Sequence, residues 1–161
     1  MIRKLMIAAA AALLLAACHR ALPDQSSAAK TFLAQNAHQP DVHVLPSGLQ
    51  YKVVRSGPAD GLRPKLGDEV KVNYEGKLVD GRVFDSSYQR GVPAAMPLKG
   101  LIKGWQEALQ LMRPGDEWIL YIPPELGYGA EGAGEIPPGA ALIFRIELIG
   151  VLPGQGSVGE G

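Results

Sequence analysis

The side chains able to carry covalent or proton-transfer chemistry are unevenly placed along this chain. All three histidines (His19, His38 and His43) and the only cysteine, Cys18, precede residue 47, so the stretch that follows has neither imidazole nor thiol. That removes Ser-His-Asp and Cys-His catalysis and the usual zinc sites, and it leaves carboxylates, tyrosines and apolar surface. Two stretches concentrate those groups. The first, VDGRVFDSSY (79–88), sets Phe84 beside Asp85 on the strand that returns from the hairpin signal Asp80-Gly81. On a regular pleat, neighbours point to opposite faces, so a site that uses both side chains requires an irregular strand. The second, 122–139, is a long Gly/Pro-rich loop that suspends Tyr128 between two glycines. Such loops are either functional or surface filler, and composition alone leaves both open. An acid–base pair of Asp85 with Glu131 or Glu135 is the weakest chemistry, because nothing fixes two carboxylates at a working separation. No phosphate loop or dinucleotide fingerprint is present, since the glycines of this loop do not lie between a strand and a helix.

The elements that must position these residues are legible from periodicity. Alternation predicts strands over 49–53, 70–74, 118–122 and 141–152, each next to turn residues. Gly67-Asp68-Glu69 and Gly115-Asp116-Glu117 look alike, but turn chemistry accounts for both. One convincing helix spans 102–112, where Trp105, Ala108, Leu109 and Met112 form a stripe at i, i+3, i+4 and i+7 and Arg113-Pro114-Gly115 ends it. A shorter helix over 26–36, capped by Ser26 or Ser27, pairs Ala28 with Phe32 and Ala29 with Leu33; it is too short to stand alone and must dock or fray. No heptad repeat supports a dimerising coil, and a monomer is expected. The 20 glycines, 13 prolines and few aromatics suit a loop-rich β-containing domain. The expected fold is α+β, a mostly antiparallel sheet laid over one short α-helix with a short helical appendage.

With 16 basic and 16 acidic residues, the chain has no net field to recruit nucleic acid. The opening MIRKLMIAAAAALLLAAC is basic, then apolar and Ala-rich, and it reads as an export signal. Its end, Leu15-Ala16-Ala17-Cys18, resembles the bacterial lipobox and implies lipid on Cys18; the alternative is an ordinary signal peptide with an incidental cysteine. The expected organisation is a lipoprotein signal peptide (1–17), a lipid-anchored linker carrying the short helix (18–47), one domain (48–153) and a disordered tail (154–161). The protein is expected in the bacterial cell envelope, facing the periplasm from the outer membrane. With one cysteine it has no internal disulfide despite that oxidising compartment.

VNYEGKLVDGRVFDSSYQRG, LIKGWQEALQLMRPGD, PPELGYGAEGAGEIPPGAALIFRIELIGV and the leader FLAQN…VLPSGLQY, in this order over roughly 31–152, together resemble an FKBP-type peptidyl-prolyl cis-trans isomerase of the macrophage-infectivity-potentiator-like bacterial branch. The resemblance implies a half-barrel sheet curled around the helix and a shallow apolar pocket for proline. Carried onto this sequence, the pocket comprises Tyr74, Phe84, Asp85, Leu101, Ile102, Trp105, Tyr128, Ile136 and Phe144, with Arg90 near Asp85. Individually, Trp105, Ile136 and Phe144 also suit a core, and Asp85 also suits a cap for the turn at Ser86-Ser87. Two departures concern Ala94 to Met96, on the loop before the helix, where some members carry an aromatic, and Ala133, where some carry a histidine or bulkier residue; the long loop is also one residue shorter than in some members. The implied activity is non-covalent rotation of X-Pro bonds in exported proteins, without cofactor or metal and with macrolides as inhibitors. The Ile102 N–H and the Tyr128 hydroxyl would grip the chain. The rival is a chaperone module that holds proline-containing chains with little turnover.

Overall fold

The computed structural model describes residues 21–154. The expected signal peptide (1–17), Cys18 and all but the first residue of the expected disordered tail (154–161) lie outside the described residues. Seven strands form one antiparallel sheet: β1 (His43–Val44), β2 (Gln50–Arg55), β3 (Glu69–Leu78), β4 (Val83–Ser86), β5 (Ala94–Pro97), β6 (Glu117–Ile122) and β7 (Leu142–Leu152). Their order is β1-β2-β6-β7-β3-β4, with β5 also on β3, so the sheet is curved and unclosed. Three α-helices accompany it among the described residues: α1 (Ser26–Asn36), the single turn α2 (Ser87–Arg90) and α3 (Lys103–Leu109). The expected α+β half-barrel around one short helix is the observed architecture.

Alternation explains which face is inner. Along β3, β6 and β7, the residues Val70, Val72, Tyr74, Leu120, Ile122, Phe144, Ile146 and Leu148 are buried, and α3 closes over them with Trp105, Ala108 and Leu109. The helix lies very near the sheet at Gly104, where an added Cβ would come 2.8 Å from Ile122 Cγ2. A glycine inside a helix costs about 1 kcal/mol relative to alanine, and here it allows this close approach. α3 is shorter than the apolar stripe suggests. Ile102 is its N-cap, and past Leu109 the chain tightens into i→i+3 bonds such as Leu111 N–H to Ala108 O at 2.9 Å. Met112 is still fully buried, so the stripe outlasts the α-helix.

Two other elements differ from expectation. Residues 94–96, read as loop, belong to β5, because Val70 pairs with Met96 and Val72 with Ala94. The two-residue β1, too short for any alternation, places His43 on Tyr51, which in turn stacks on Trp118 with centroids 4.4 Å apart. The two Gly-Asp-Glu triplets do the same work: Asp68 accepts from Lys65 N–H at 2.7 Å and Asp116 from Arg113 N–H at 2.9 Å, each closing its own turn.

The short helix docks rather than frays. Neither serine caps it; Gln25 is the N-cap without a side-chain bond, and Asp24 Oδ1, two residues before Ser26, accepts from the Ser26 N–H at 2.7 Å and from the Ser26 hydroxyl at 2.6 Å. Ala29 and Asn36 are buried, and Asn36 Nδ2 donates to Gln50 Oε1 at 2.8 Å while Gln50 Nε2 donates to Leu33 O at 2.9 Å. Gln50 pairs with Tyr121 on the sheet face opposite α3, and the Tyr121 ring lies 6.1 Å from Phe32. At its start, Gln25 N–H donates to Pro138 O at 2.8 Å, which ties the helix to the end of the long loop.

Candidate active site

The juxtaposition of Phe84 and Asp85 is resolved by a bulge. On β3, Gly76 pairs with Asp85 and the next residue, Lys77, pairs with Val83, so Phe84 is the extra residue on β4. Both side chains thereby reach the inner face. The Phe84 ring lies over Gly76, where an added Cβ would stand 2.7 Å from Phe84 Cζ and 2.5 Å from Phe144 Cε1. A glycine in the middle of a long strand is here the space in which two rings meet.

Immediately after the bulge, the Ser86 hydroxyl accepts from Gln89 N–H at 3.3 Å and starts α2, and Gly91 ends it in the left-handed region at φ 71°. The turn is therefore capped by Ser86, and Asp85 is free for other work. This one turn carries Arg90 back beside Asp85. The Arg90 guanidinium pairs with Asp85 Oδ1 and donates to the Tyr74 hydroxyl at 2.9 Å, while Tyr74 donates to Asp85 Oδ2 at 2.5 Å. Buried Ser87 accepts from Tyr74 N–H at 2.8 Å, fixing the tyrosine's strand against the same turn. Burial works to raise the Asp85 pKa, but the bonds from Tyr74 and Arg90, the guanidinium charge and the Ser86 N–H outweigh it and hold the carboxyl below its usual range. Burial first, and then the bond to Asp85, raise Tyr74 above an ordinary phenol.

Four rings make a box. Trp105, 4% exposed, meets Tyr74 and Phe144 edge to face with centroids 5.1 Å away in each case, and Phe84 meets Phe144 the same way at 5.5 Å. The Trp105 indole N–H is the buried side-chain polar atom without a hydrogen-bond partner among the described residues. Leu101 and Ile102 form one wall. The long loop forms the other, and it is bonded to itself: Gly139 N–H donates to Gly129 O at 3.0 Å, and Ala133 and Ile136 exchange bonds of 3.0 and 2.8 Å around its tip. It is thus an ordered part of the site. The Tyr128 ring stands at its edge, 39% exposed.

These walls enclose a cavity of about 480 Å³ lined by Tyr74, Phe84, Asp85, Leu101, Ile102, Trp105, Tyr128, Ile136 and Phe144, together with Met96, Gly100, Ala133 and Glu135. Every pocket position carried over from the resemblance is brought to it, while Arg90 stands behind Asp85 outside the lining. Gly76, Met96 and Gly100 were missed as site residues, and Glu135 was expected only as the weakest acid–base candidate. For Gly76 the available signal was its place inside an alternating strand. Met96 belongs to the stretch Ala94 to Met96, where the resemblance implies an aromatic in some members. His43, stacked on Tyr51 at the sheet edge, does not line the cavity.

A family model described as FKBP-type peptidyl-prolyl cis-trans isomerase matches residues 61–149. The chain belongs to the FKBP-type family. A second model, for the domain amino-terminal to FKBP-type isomerases, matches residues 3–53. Among curated FKBP-type proteins, the peptidyl-prolyl cis-trans isomerase Mip of Coxiella burnetii is 56% identical over 76% of this chain and 53% of its own length. The crystal structure of FkpA from Escherichia coli superposes with a TM-score of 0.76 at 42% identity, covering 79% of this chain and 59% of that one. A peptidyl-prolyl cis-trans isomerase from Pseudomonas syringae gives 0.73 at 40% identity, covering 80% of this chain and 93% of that one. The chain spans about half the length of the curated FKBP-type relatives it matches.

Proposed function

We propose that this chain is a peptidyl-prolyl cis-trans isomerase that turns X-Pro bonds of exported proteins in the aromatic box. The observation that carries the reading is the Trp105 floor walled by Tyr74, Phe84 and Phe144, an apolar container open to solvent beside a neutralised carboxylate. Rotation of an X-Pro bond is opposed by amide resonance, a barrier of about 18–20 kcal/mol, and requires no covalent step. In the twisted transition state the carbonyl loses resonance polarity and the nitrogen becomes pyramidal. Transfer from water to an apolar box therefore favours that state over the planar one. Phe84, Trp105, Ile136 and Phe144 supply the box. The Ile102 N–H, at the helix start, and the Tyr128 hydroxyl have no partner among the described residues, and they hold the carbonyls flanking the proline. Asp85, with Tyr74 and Arg90, keeps the rim in shape and takes no proton.

The deciding experiment measures cis-to-trans rates of a proline peptide with the purified chain, with and without a macrolide. Acceleration that the macrolide abolishes supports the reading; saturable peptide binding without acceleration moves the protein to the proline-binding chaperone class. A pH profile separates the mechanism from acid–base catalysis. With Asp85 held low and Tyr74 held high, neither changes charge near neutrality, so kcat/KM on a non-titrating peptide stays nearly flat from about pH 6 to 9. Asp85→Asn lowers the rate about three- to tenfold by loosening Arg90 and Tyr74, and it adds no new limb. A bell near neutrality that disappears in Asp85→Asn would show this carboxylate moving protons. The lowered Asp85 pKa also stabilises the fold at neutral pH, and that contribution disappears as pH falls through the folded-state value.

We further assign residues 1–17 as a lipoprotein signal peptide, 48–153 as the isomerase domain and Cys18 as the lipid attachment point, placing the protein in the cell envelope, facing the periplasm as a monomer. Similarity to the outer membrane protein MIP of Legionella longbeachae supports the envelope. Acyl insertion alone then supplies the membrane affinity. Cys18→Ser moves the processed protein from the membrane to the soluble fraction with isomerase activity retained; a variant that has lost its leader by normal processing and is still recovered with membranes shows that the lipobox reading is wrong.

A further inference from the structure

Two carboxylates line the cavity, and they are in different electrostatic states. Asp85 is matched by Arg90 and by the Tyr74 hydroxyl, so its charge is largely answered within the protein. Glu135 is exposed and forms no ion pair among the described residues. Its position is nevertheless fixed. It follows Gly134, at φ 54°, in the two-residue tip closed by the paired Ala133 and Ile136 bonds, and Arg82 Nη2 donates to its main-chain carbonyl at 3.3 Å. That contact is to the carbonyl and leaves the carboxylate without a partner. The opposite wall, residues 100–102, is bracketed by Lys99 and Lys103, both exposed and both without an ion pair among the described residues. The loop side of the mouth therefore presents the Glu135 carboxylate, with the Arg82 guanidinium on its main chain, and the helix side is flanked by the cations Lys99 and Lys103, which lie outside the cavity lining.

We propose that Glu135 is a specificity-determining residue: it selects X-Pro segments that carry a lysine or arginine on the flank that crosses the loop tip. The inference rests on the proline-pocket reading above and names the substrate class of that same site. A proline held over Trp105 fixes the register of the chain, so one flank must run past the 133–136 tip and the other past the start of α3. A cation on the first flank meets the Glu135 carboxylate; on the second flank it meets Lys99 and Lys103. Exposed charge pairs are individually weak, so the preference is a matter of a few-fold and falls with ionic strength.

The test uses proline peptides in which lysine or glutamine occupies, one at a time, the two positions before and the two after the proline. With the wild-type chain at low salt, lysine on one flank raises kcat/KM over glutamine by about two- to fivefold, and the advantage shrinks toward unity in 1 M salt. Glu135→Gln brings that ratio to one, Glu135→Lys inverts it, and Glu131→Gln, on the same loop but outside the cavity lining, leaves it as in the wild type. Equal rates for lysine and glutamine at all four positions overturn the proposal, and so does a lysine advantage that survives Glu135→Gln. Peptide affinities followed on the Trp105 indole resonance give the same ratios independently of turnover. A lysine preference in binding without acceleration keeps the charge selection and removes the isomerase reading, whereas acceleration with no charge preference does the reverse.

Discussion

Phe84→Ala lowers kcat/KM on proline peptides by about 10- to 100-fold, the loss of one aromatic wall of the box, because burying an aromatic against a ligand is worth roughly 1.5–3 kcal/mol. The same change costs somewhat less in stability, about 1–2 kcal/mol and below the ~3–5 of a fully buried phenylalanine, since the ring is only half-buried and its main packing partners are Phe144 and the bare backbone of Gly76. Paired measurements of turnover and urea midpoint on one preparation check the asymmetry. Full activity in a folded Phe84→Ala protein sinks the assignment of the site, whatever the fold.

Trp105→Ala behaves differently, because this residue is both floor and core. It is buried on the apolar stripe of α3 and meets Tyr74 and Phe144 edge to face. Its removal costs about 3–5 kcal/mol of stability, a large share of the total of about 5–15 that a domain has, together with most of the turnover. Trp105→Phe retains the ring and recovers the greater part of the stability. Because it also removes the unpaired indole N–H, any turnover still missing in that variant belongs to the shape or polarity of the floor, not to folding. A Trp105→Ala protein with a normal urea midpoint would mean that α3 does not depend on this side chain for its seat on the sheet.

The degree to which the fold was legible follows from length and periodicity. β3, β6 and β7 alternate over six residues or more, and both longer helices carry an apolar spacing, so local pattern and tertiary burial agree. β1 and β5 have two and four residues, too few for a period, and they exist because β2 and β3 offer them an edge. The end of α3 was overread because burial continues through Met112 after the hydrogen-bond pattern has changed. In the site, the aromatic and carboxylate members came through resemblance, whereas Gly76, Met96 and Glu135 owe their place to geometry. A glycine shows its purpose only when two rings lie over it, and the partner that a carboxylate lacks cannot be read from a linear sequence.

The bulge at Phe84 makes the site a matter of parity. One surplus residue on β4 lets two consecutive side chains share a face that strict alternation would divide between them. Composition is therefore not what protects the constellation: deleting Arg82 or Val83 would keep both Phe84 and Asp85 in the chain while restoring the even count and sending one of them to the far side of the sheet. Substitution scanning, which preserves the count, cannot expose this dependence. The tolerance of β4 to exchange and its intolerance to a one-residue change in length are separate properties, and only the second defines the reading frame of the pocket.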